Sequence, residues 1–308
     1  MIVLGMQYLF TSLELETLKD YFDKIDFIDY KNKNPKDVIN EINIYLEDNK
    51  DRLIILNTKA EISNNLLSYL TKLELNGVKY LTISKFLEKY LYKFHINDNR
   101  VDVSYLTAIK RFSLRQYILK RLIDFVGVAF VLIFSSPVML YAIYKIKKES
   151  PSGDILFIQN RIGINGEEFK CYKFRSMRPN AEEGQPQFAS KDDDRTFAWG
   201  ETMRKFRFDE LPQMWNVIKG DMHLIGPRPE RRYWVEQFEK EIPYYNERHI
   251  VRPGITGWAQ IKYPYGENEE DAKHKLMYDL YYIKNWSVAF EFLVVWKTSF
   301  VVFGKKGV

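Results

Sequence analysis

Short apolar runs alternate with helical periodicity over residues 1 to about 95. Leu53-Ile54-Ile55-Leu56 is a continuous apolar run, the pattern of a strand buried on both faces. Helical spacing covers Glu61 to Asn76, Gly77 stands where a C-cap belongs, and a second strand is expected at Val78 to Ile83. Strand, helix and strand joined by short links predict a parallel βαβ unit, hence a Rossmann-like α/β domain over residues 1–100. No GxGxxG fingerprint accompanies it, so a dinucleotide site is unsupported. A regulatory or assembly role, with homodimerisation through this domain, is the expectation. The first residues, MIVLGMQYLFTSLELETLKDY, lack a basic n-region and a small-residue cleavage site, and read as mature cytosolic sequence.

A polar link near Asn97 to Asp102 leads to Lys110, Arg111, Arg115, Lys120 and Arg121. Residues 125–144, FVGVAFVLIFSSPVMLYAIY, then run without a charge, long enough to cross the ~30 Å hydrocarbon core as a helix. Ser135-Ser136-Pro137 interrupts the middle, where proline removes a helix hydrogen bond and bends the axis. Both flanks are basic, with Lys145, Lys147 and Lys148 following, which assigns both ends to the cytoplasm. A re-entrant helical hairpin over residues 101–148, breaking at Ser135-Ser136-Pro137 with the serine hydroxyls helping to satisfy the bend, accommodates both features. A straight span and a buried soluble helix are the alternatives. Residues 149–308 make a mixed α/β, motif-dense zone. Its apolar tail, WSVAFEFLVVWKTSFVVFGKKGV, is interrupted by Glu291 and Lys297 and reads as an amphipathic interfacial helix.

Composition narrows the function classes. With 46% hydrophobic and 28% charged residues the 308-residue chain is globular, not disordered. The net charge of +5 fits an anionic partner: phosphates, an anionic leaflet or nucleic acid. Nucleic acid is the weakest of these, because the aromatics cluster in the membrane-like segments and do not interleave with basic residues. A single cysteine, Cys171, excludes an intramolecular disulfide framework and a multi-cysteine metal site.

The densest chemistry lies in MRKFRFDELPQMWNVIKGDMHLIGPRPE, residues 203–230. Asp209 and Glu210 precede Leu211-Pro212, Gln213 to Lys219 is helical, and Gly220 ends it. The acids would lie at a helix N-terminus between Arg204 and Arg207, where carboxylates stay ionised and phosphate gathers. Gly226-Pro227-Arg228-Pro229-Glu230 fixes an arginine in a stiff turn suited to bidentate phosphate contact. Lys173 and Arg175 lie on one side of a probable strand, and Arg252-Pro253-Gly254-Ile255-Thr256-Gly257 is a Gly-rich turn whose N–H groups would approach a ligand. Taken singly, each has a bland reading as a capping acid, a solvated strand or a turn.

Together and in this order, KRLIDFVG, SSP, FIQNRIG, KFRSM, MRKFRFDELPQMWNVIKGDM, GPRPE, VRPGITGWAQI and YDLYYIKNWS resemble the bacterial sugar transferases, monotopic phosphoglycosyl transferases acting on polyprenyl phosphate. The resemblance runs from about residue 115 to the C-terminus. It implies a re-entrant helix anchoring a catalytic domain on the cytoplasmic face of the bacterial inner membrane. It also implies transfer of a sugar-1-phosphate from a UDP-sugar to undecaprenyl phosphate, releasing UMP, as the first step of a lipid-linked capsule, exopolysaccharide or related glycan. By the same resemblance Asp209 is the nucleophile of a covalent phosphosugar intermediate, Glu210 assists at Mg²⁺ or in proton handling, and Lys173, Arg204 and Arg228 surround the phosphates, with Arg175 and Glu230 added. His223 stands where the family commonly has serine and is not expected to be catalytic. Glu291, a longer but equally charged acid, stands where it often has aspartate and is expected to leave activity intact. His249 and His274 lack metal-ligand spacing. Sugar-discriminating contacts are expected around 180–200 and 260–275. Competing readings are a membrane scaffold and a metal-dependent phosphatase or diphosphatase using the same aspartate.

Overall fold

The computed structural model describes all residues except 32, 49–52, 59–61, 98–106, 180–193, 264–265, 267 and 304–308. The link near Asn97 to Asp102, most of the 180–200 loop and terminal Lys305 and Lys306 therefore fall largely outside the described residues. The chain divides into two compact units, Met1–His95 and Ile96–Val308.

In the first unit β1 (Ile2–Leu4), α1 (Ser12–Leu18), β2 (Asp26–Ile28), α2 (Pro35–Asp48), β3 (Leu53–Leu56), α3 (Asn64–Leu75) and β4 (Lys79–Thr82) alternate, with α4 (Ile83–Phe86) following directly. The four strands are all parallel, in the order β2-β1-β3-β4. Strands β1 and β3 are apolar at every position, as parallel strands covered on both faces must be. Ile2, Leu4 and Ile54 pack with Val38 and Ile42 of α2 and Leu66 and Leu70 of α3. The parallel unit expected from residues 53–83 is present, while β1, β2 and their helices are additional. Strand β4 stops one residue early because Thr82 caps α4, its side chain accepting from the Lys85 N–H at 3.4 Å. The crevice beyond the carboxyl ends of β1 and β3 is filled from within. Asn57 donates to the Gly5 and Tyr8 carbonyls at 3.2 and 2.9 Å and accepts from the Tyr8 N–H at 2.8 Å. Buried Lys93 reaches Glu14 at 2.6 Å and the Tyr8 hydroxyl at 2.9 Å.

The second unit opens with α5 (Leu114–Glu149), whose 36 residues give a helix about 54 Å long at 1.5 Å per residue. Among the described residues it is the one helix long and apolar enough to cross a membrane. It is helical throughout: at Ser135-Ser136-Pro137, where a break in the helix is expected from sequence, the backbone stays helical. The physical reason is local. Proline has no N–H for the Ile133 carbonyl, and the Ser136 hydroxyl donates to that same oxygen at 3.0 Å.

Both ends of α5 pack on the unit that follows. Partway along it Val128 joins Met214, Val217 and Met222; near its end Ala142 and Ile146 join Phe174, Phe197 and Met203. Glu149 accepts from the Trp199 N–H at 2.8 Å. Between these anchors Phe130, Ile133, Phe134 and Leu140 are exposed. Two charges do not stand where the sequence placed them. Lys120, counted as a basic flank, and Glu291, counted as an interruption of the apolar tail, are both fully buried and paired at 2.9 Å.

After α5 come the antiparallel hairpin β5 (Leu156–Ile162) and β6 (Glu168–Phe174), α6 (Ala198–Lys205), a 3₁₀ segment (Phe208–Gln213), α7 (Met214–Lys219), β7 (His223–Ile225), α8 (Arg232–Glu241), β8 (Gly254–Thr256), α9 (Trp258–Lys262), α10 (Glu269–Lys284) and α11 (Val288–Phe303). Strands β7 and β8 pair in parallel. Helix α11 carries exposed Phe292, Trp296 and Phe300 and buries Val294 and Glu291.

Candidate active site

Leu211-Pro212 governs the local geometry of the acid pair. Proline at 212 tightens the chain into the 3₁₀ segment, and α7 continues from it until Gly220, at φ +87°, ends the helix. Arg207, at φ +58°, makes the sharp entry from α6 in the left-handed region that non-glycine residues seldom occupy. The segment lies against β6, so both acids are buried: Asp209 is 9% exposed and Glu210 6%.

The two carboxylates differ in what holds them. Glu210 Oε1 accepts from Lys173 Nζ at 3.0 Å and Arg228 Nη2 at 3.1 Å, and Oε2 lies 3.7 Å from Arg207 Nη1. Asp209 has no hydrogen-bond or ion-pair partner among the described residues. Burial alone would raise Glu210, but Lys173, Arg228 and Arg207 outweigh it and hold the carboxyl well below its usual range. Burial and the adjacent Glu210 charge push Asp209 up, against the pull of Lys173, Arg204 and Arg228. One acid is thus locked as a charged clamp for cations, and the other is left with unclaimed oxygens.

Arg228 reaches this site from the Gly226–Pro229 turn, and the turn is held by strand pairing. Gly226 N–H donates to the Thr256 carbonyl and Gly254 N–H to the Pro227 carbonyl, both at 2.9 Å. The Arg252–Gly257 turn therefore spends its glycines on backbone-to-backbone approach, and the Gly254 N–H expected to face a ligand is already used. A Cβ at Gly254 would sit 2.0 Å from Gly226 N. Gly254→Ala should accordingly cost stability at the upper end of the ~1–3 kcal/mol of overpacking, read as a lowered thermal midpoint. On the far side, Arg248 Nη2 donates to the Arg228 carbonyl and to Asp279 Oδ2, both at 2.9 Å.

The remaining sequence candidates scatter around this centre. Arg204 contributes its charge to Asp209. Arg175 lies just past β6 and is consumed elsewhere, donating to Ser150 Oγ, the Ser150 carbonyl and the Asp154 carbonyl, each at 2.6 Å. The strand ends at Phe174, so the shared side inferred for Lys173 and Arg175 does not persist. Glu230 lies 3.7 Å from Arg161. Ser135, Ser136 and Pro137 belong to α5. His223 is buried, its Nδ1 2.5 Å from Asp124 Oδ2; burial lowers it to about 4 against the raising effect of Asp124. His249 is pushed down to about 3 by burial and Arg248, and His274 stacks on Tyr263. Sequence reasoning missed Arg161 and Arg248 as neighbours of the site. The signal for Arg161 was available: hairpin register places Arg161 opposite Phe169, on the face of Cys171 and Lys173.

For a metal, no group of three His, Cys, Asp or Glu converges among the described residues. Mg²⁺ commonly takes only one or two protein carboxylates and completes its shell with water and phosphate oxygens. The free oxygens of Asp209, with Glu210 beside them, fit that demand.

Residues 115–305 match the model of the family described as bacterial sugar transferase. Over 204 residues the chain is 45% identical to a UDP-N-acetylgalactosamine-undecaprenyl-phosphate N-acetylgalactosaminephosphotransferase of Aeromonas hydrophila, covering 66% of this chain and 47% of that protein. It is 41% identical over 173 residues to the UDP-glucose:undecaprenyl-phosphate glucose-1-phosphate transferase of Xanthomonas campestris pv. campestris, covering 55% and 36%. The Escherichia coli K12 protein of that name is 39% identical over 191 residues, covering 61% and 41%. The chain thus spans about half the length of these relatives, or less. With the family model covering more than half of its length, the chain belongs to the bacterial sugar transferase family.

Proposed function

We propose that this protein transfers a sugar-1-phosphate from a UDP-sugar to undecaprenyl phosphate, releasing UMP, by two displacements at Asp209. The observation that carries the reading is the asymmetry of the acid pair: Glu210 is bound by cations and Asp209 is buried with its carboxylate unclaimed. An Asp209 oxygen attacks the phosphorus bearing the sugar, and the bond from that phosphorus to the bridging oxygen breaks, with UMP leaving on that oxygen. An oxygen of the lipid phosphate then attacks the same phosphorus and returns the carboxylate. Lys173 and Arg228, held in place by Glu210, bind and orient the phosphate oxygens. Mg²⁺, held by Asp209 and Glu210, would neutralise diphosphate charge that otherwise repels an attacking carboxylate.

The α5 helix is the membrane element of this reading, embedded from the cytoplasmic face of the inner membrane without crossing it. In support, Val128 and, fourteen residues on, Ala142 pack on one and the same unit, so the exposed apolar stretch between them lies beside that unit instead of carrying the chain across a bilayer. The relatives act on N-acetylgalactosamine and glucose donors, which makes these the first donors to supply. Formation of a lipid-linked sugar and UMP in membranes with Mg²⁺ supports the proposal. Sugar phosphate released to water, indifferent to added lipid phosphate, would point to a phosphatase instead.

The attack also fixes a pH dependence. Asp209 must be ionised to attack. Without metal, burial and the adjacent Glu210 hold its pKa above the ordinary carboxylate range. Mg²⁺ at its oxygens pulls the other way, so the acid limb of kcat/KM should move up as Mg²⁺ is lowered. Activity falls as pH drops through that limb. Glu210→Gln removes the neighbouring charge that raises Asp209, so whatever activity survives should show its acid limb at lower pH.

A further inference from the structure

The acid pair and the lysine that holds it come from different elements. Glu210 lies on the 3₁₀ segment, which runs on directly into α7, and Lys173 lies on β6. Their 3.0 Å contact does not by itself fix how one element sits on the other. A lysine's long flexible stem reaches the same carboxylate from many backbone placements. A shorter and stiffer connection stands six positions after Glu210, at Asn216. This residue is fully buried. Its Nδ2 donates to the Lys170 carbonyl at 2.7 Å and to Asp221 Oδ2 at 3.1 Å, and its Oδ1 accepts from the Tyr172 N–H at 3.1 Å.

Hairpin register explains why those two backbone groups are available. Just past the strand, the Arg175 N–H donates to the Ile155 carbonyl at 2.9 Å. By the alternation of an antiparallel ladder, Cys171 and Lys173 then bond to β5, while Lys170 and Tyr172 turn their backbone groups to the open edge of β6. Asn216 takes the carbonyl of one and the N–H of the other. These are the two bonds that a residue of a parallel third strand, facing Cys171, would make. Only one orientation of the amide satisfies both, and both of its N–H groups are used. A two-stranded hairpin with an open edge is marginal alone, and here a single side chain from α7 supplies the missing neighbour. The backbone of the same residue closes the helix, its carbonyl accepting from the Gly220 and Asp221 N–H groups at 3.1 and 2.9 Å. Cys171 packs with Met214 and Val217 of α7.

We propose that Asn216 is a positioning residue for the transfer. By standing in for a third strand it sets the register of the acid segment on β6, and with it the placement of Lys173 against Glu210. This rests on the transferase reading above; Asn216 itself takes no part in making or breaking bonds.

The lone cysteine allows a test without turnover. The full chain in nanodiscs is treated with a maleimide, and modification of Cys171 is followed by mass spectrometry in the wild type and in Asn216→Leu, which keeps the volume and removes both bonds. Donor kcat/KM is measured alongside for each, and again for each in a Lys173→Met background. Cys171 should label ~10-fold faster or more in Asn216→Leu, because α7 opens from β6 more readily. The kcat/KM should fall ~10- to 100-fold in the Lys173 background. It should fall by no more than ~2-fold where Lys173 is already methionine, since the effect passes through that lysine. A thermal midpoint well above the assay temperature shows that the variant is folded, and Asn216→Ala serves if leucine does not fit. Labelling as slow as in the wild type overturns the proposal. So does a loss of kcat/KM that is equal in the two backgrounds, which a merely structural role would give. Absence of lipid product from the wild type, whatever the labelling, contradicts the transferase reading separately.

Discussion

Asp209→Asn should abolish UMP release, by on the order of 10⁴-fold or more, while leaving a folded protein in the membrane. The amide is nearly isosteric with the carboxylate, so the 3₁₀ segment and the Lys173–Glu210–Arg228 cluster have no reason to move. It cannot form the acyl phosphate, because an amide oxygen is a poor nucleophile and carries no charge to donate. The same change should raise the thermal midpoint. In the folded state Asp209 has a raised pKa, so between its ordinary value and the raised one the folded chain holds more proton than the unfolded chain. Stability contributed by this group is therefore present below the ordinary carboxylate pKa and falls as pH rises through the raised value. At neutral pH the ionised carboxylate is a burden, and asparagine removes it. An inactive, more stable Asp209→Asn is the expected pair of results, read by UMP assay and thermal melting in the same preparation. A variant with near wild-type turnover would exclude Asp209 as nucleophile.

Glu291→Leu should be the most destabilising single change at the junction of α5 and α11, by about 3–5 kcal/mol, because it leaves the Lys120 ammonium buried without a counter-charge. Glu291 Oε1 accepts from Lys120 at 2.9 Å and Trp286 Nε1 at 2.7 Å, and also from the Tyr282 hydroxyl. Losing it removes the shared acceptor of three donors. Lys120 keeps the Tyr282 hydroxyl at 2.8 Å and that hydroxyl a longer bond to the Ile225 carbonyl at 3.3 Å, but Trp286 Nε1 loses its carboxylate and Lys120 its counter-charge. The double change Lys120→Met with Glu291→Leu should recover most of the loss, since two apolar side chains of similar volume can fill the space. Denaturant unfolding in detergent measures both. If Glu291→Leu unfolds like the wild type, the pair is not what docks the start of α5. The double variant also separates architecture from chemistry: restored stability with restored UMP release would show that these charges hold the site without entering the reaction.

How much of this was legible beforehand depended on where each residue's partners lie in sequence. Local signals read well. Gly77 and Gly220 end helices as their positions implied, and the apolar run 53–56 forms a buried strand. Asp209, Glu210, Lys173 and Arg228 were singled out by residue type and setting, and the fold brings the last three within hydrogen-bonding distance. What the sequence concealed was charge neutralised at long range. Lys120 and Glu291 are 171 residues apart, and neither looks buried to a reading that counts flanking charges. Asp124, just past α5's basic approach, accepts from the Leu224 N–H at 2.9 Å and approaches His223. Arg175 shows the opposite error: a cation beside a motif, drawn off by carbonyls some 20 residues upstream. Proline 137 was rightly flagged as a missing hydrogen bond, and Ser136 supplies the replacement without the helix opening.

The covalent intermediate is the centre of the account. Purified protein in nanodiscs should be mixed with a radiolabelled UDP-sugar and Mg²⁺ in the absence of lipid acceptor, then quenched and digested for mass spectrometry. Label is expected on the peptide containing Asp209, in stoichiometric burst with UMP, chased into lipid when undecaprenyl phosphate is added, and absent in Asp209→Asn. Lipid-linked sugar formed at full rate with no protein-bound label at any time would contradict it, and would mean direct transfer from donor to acceptor.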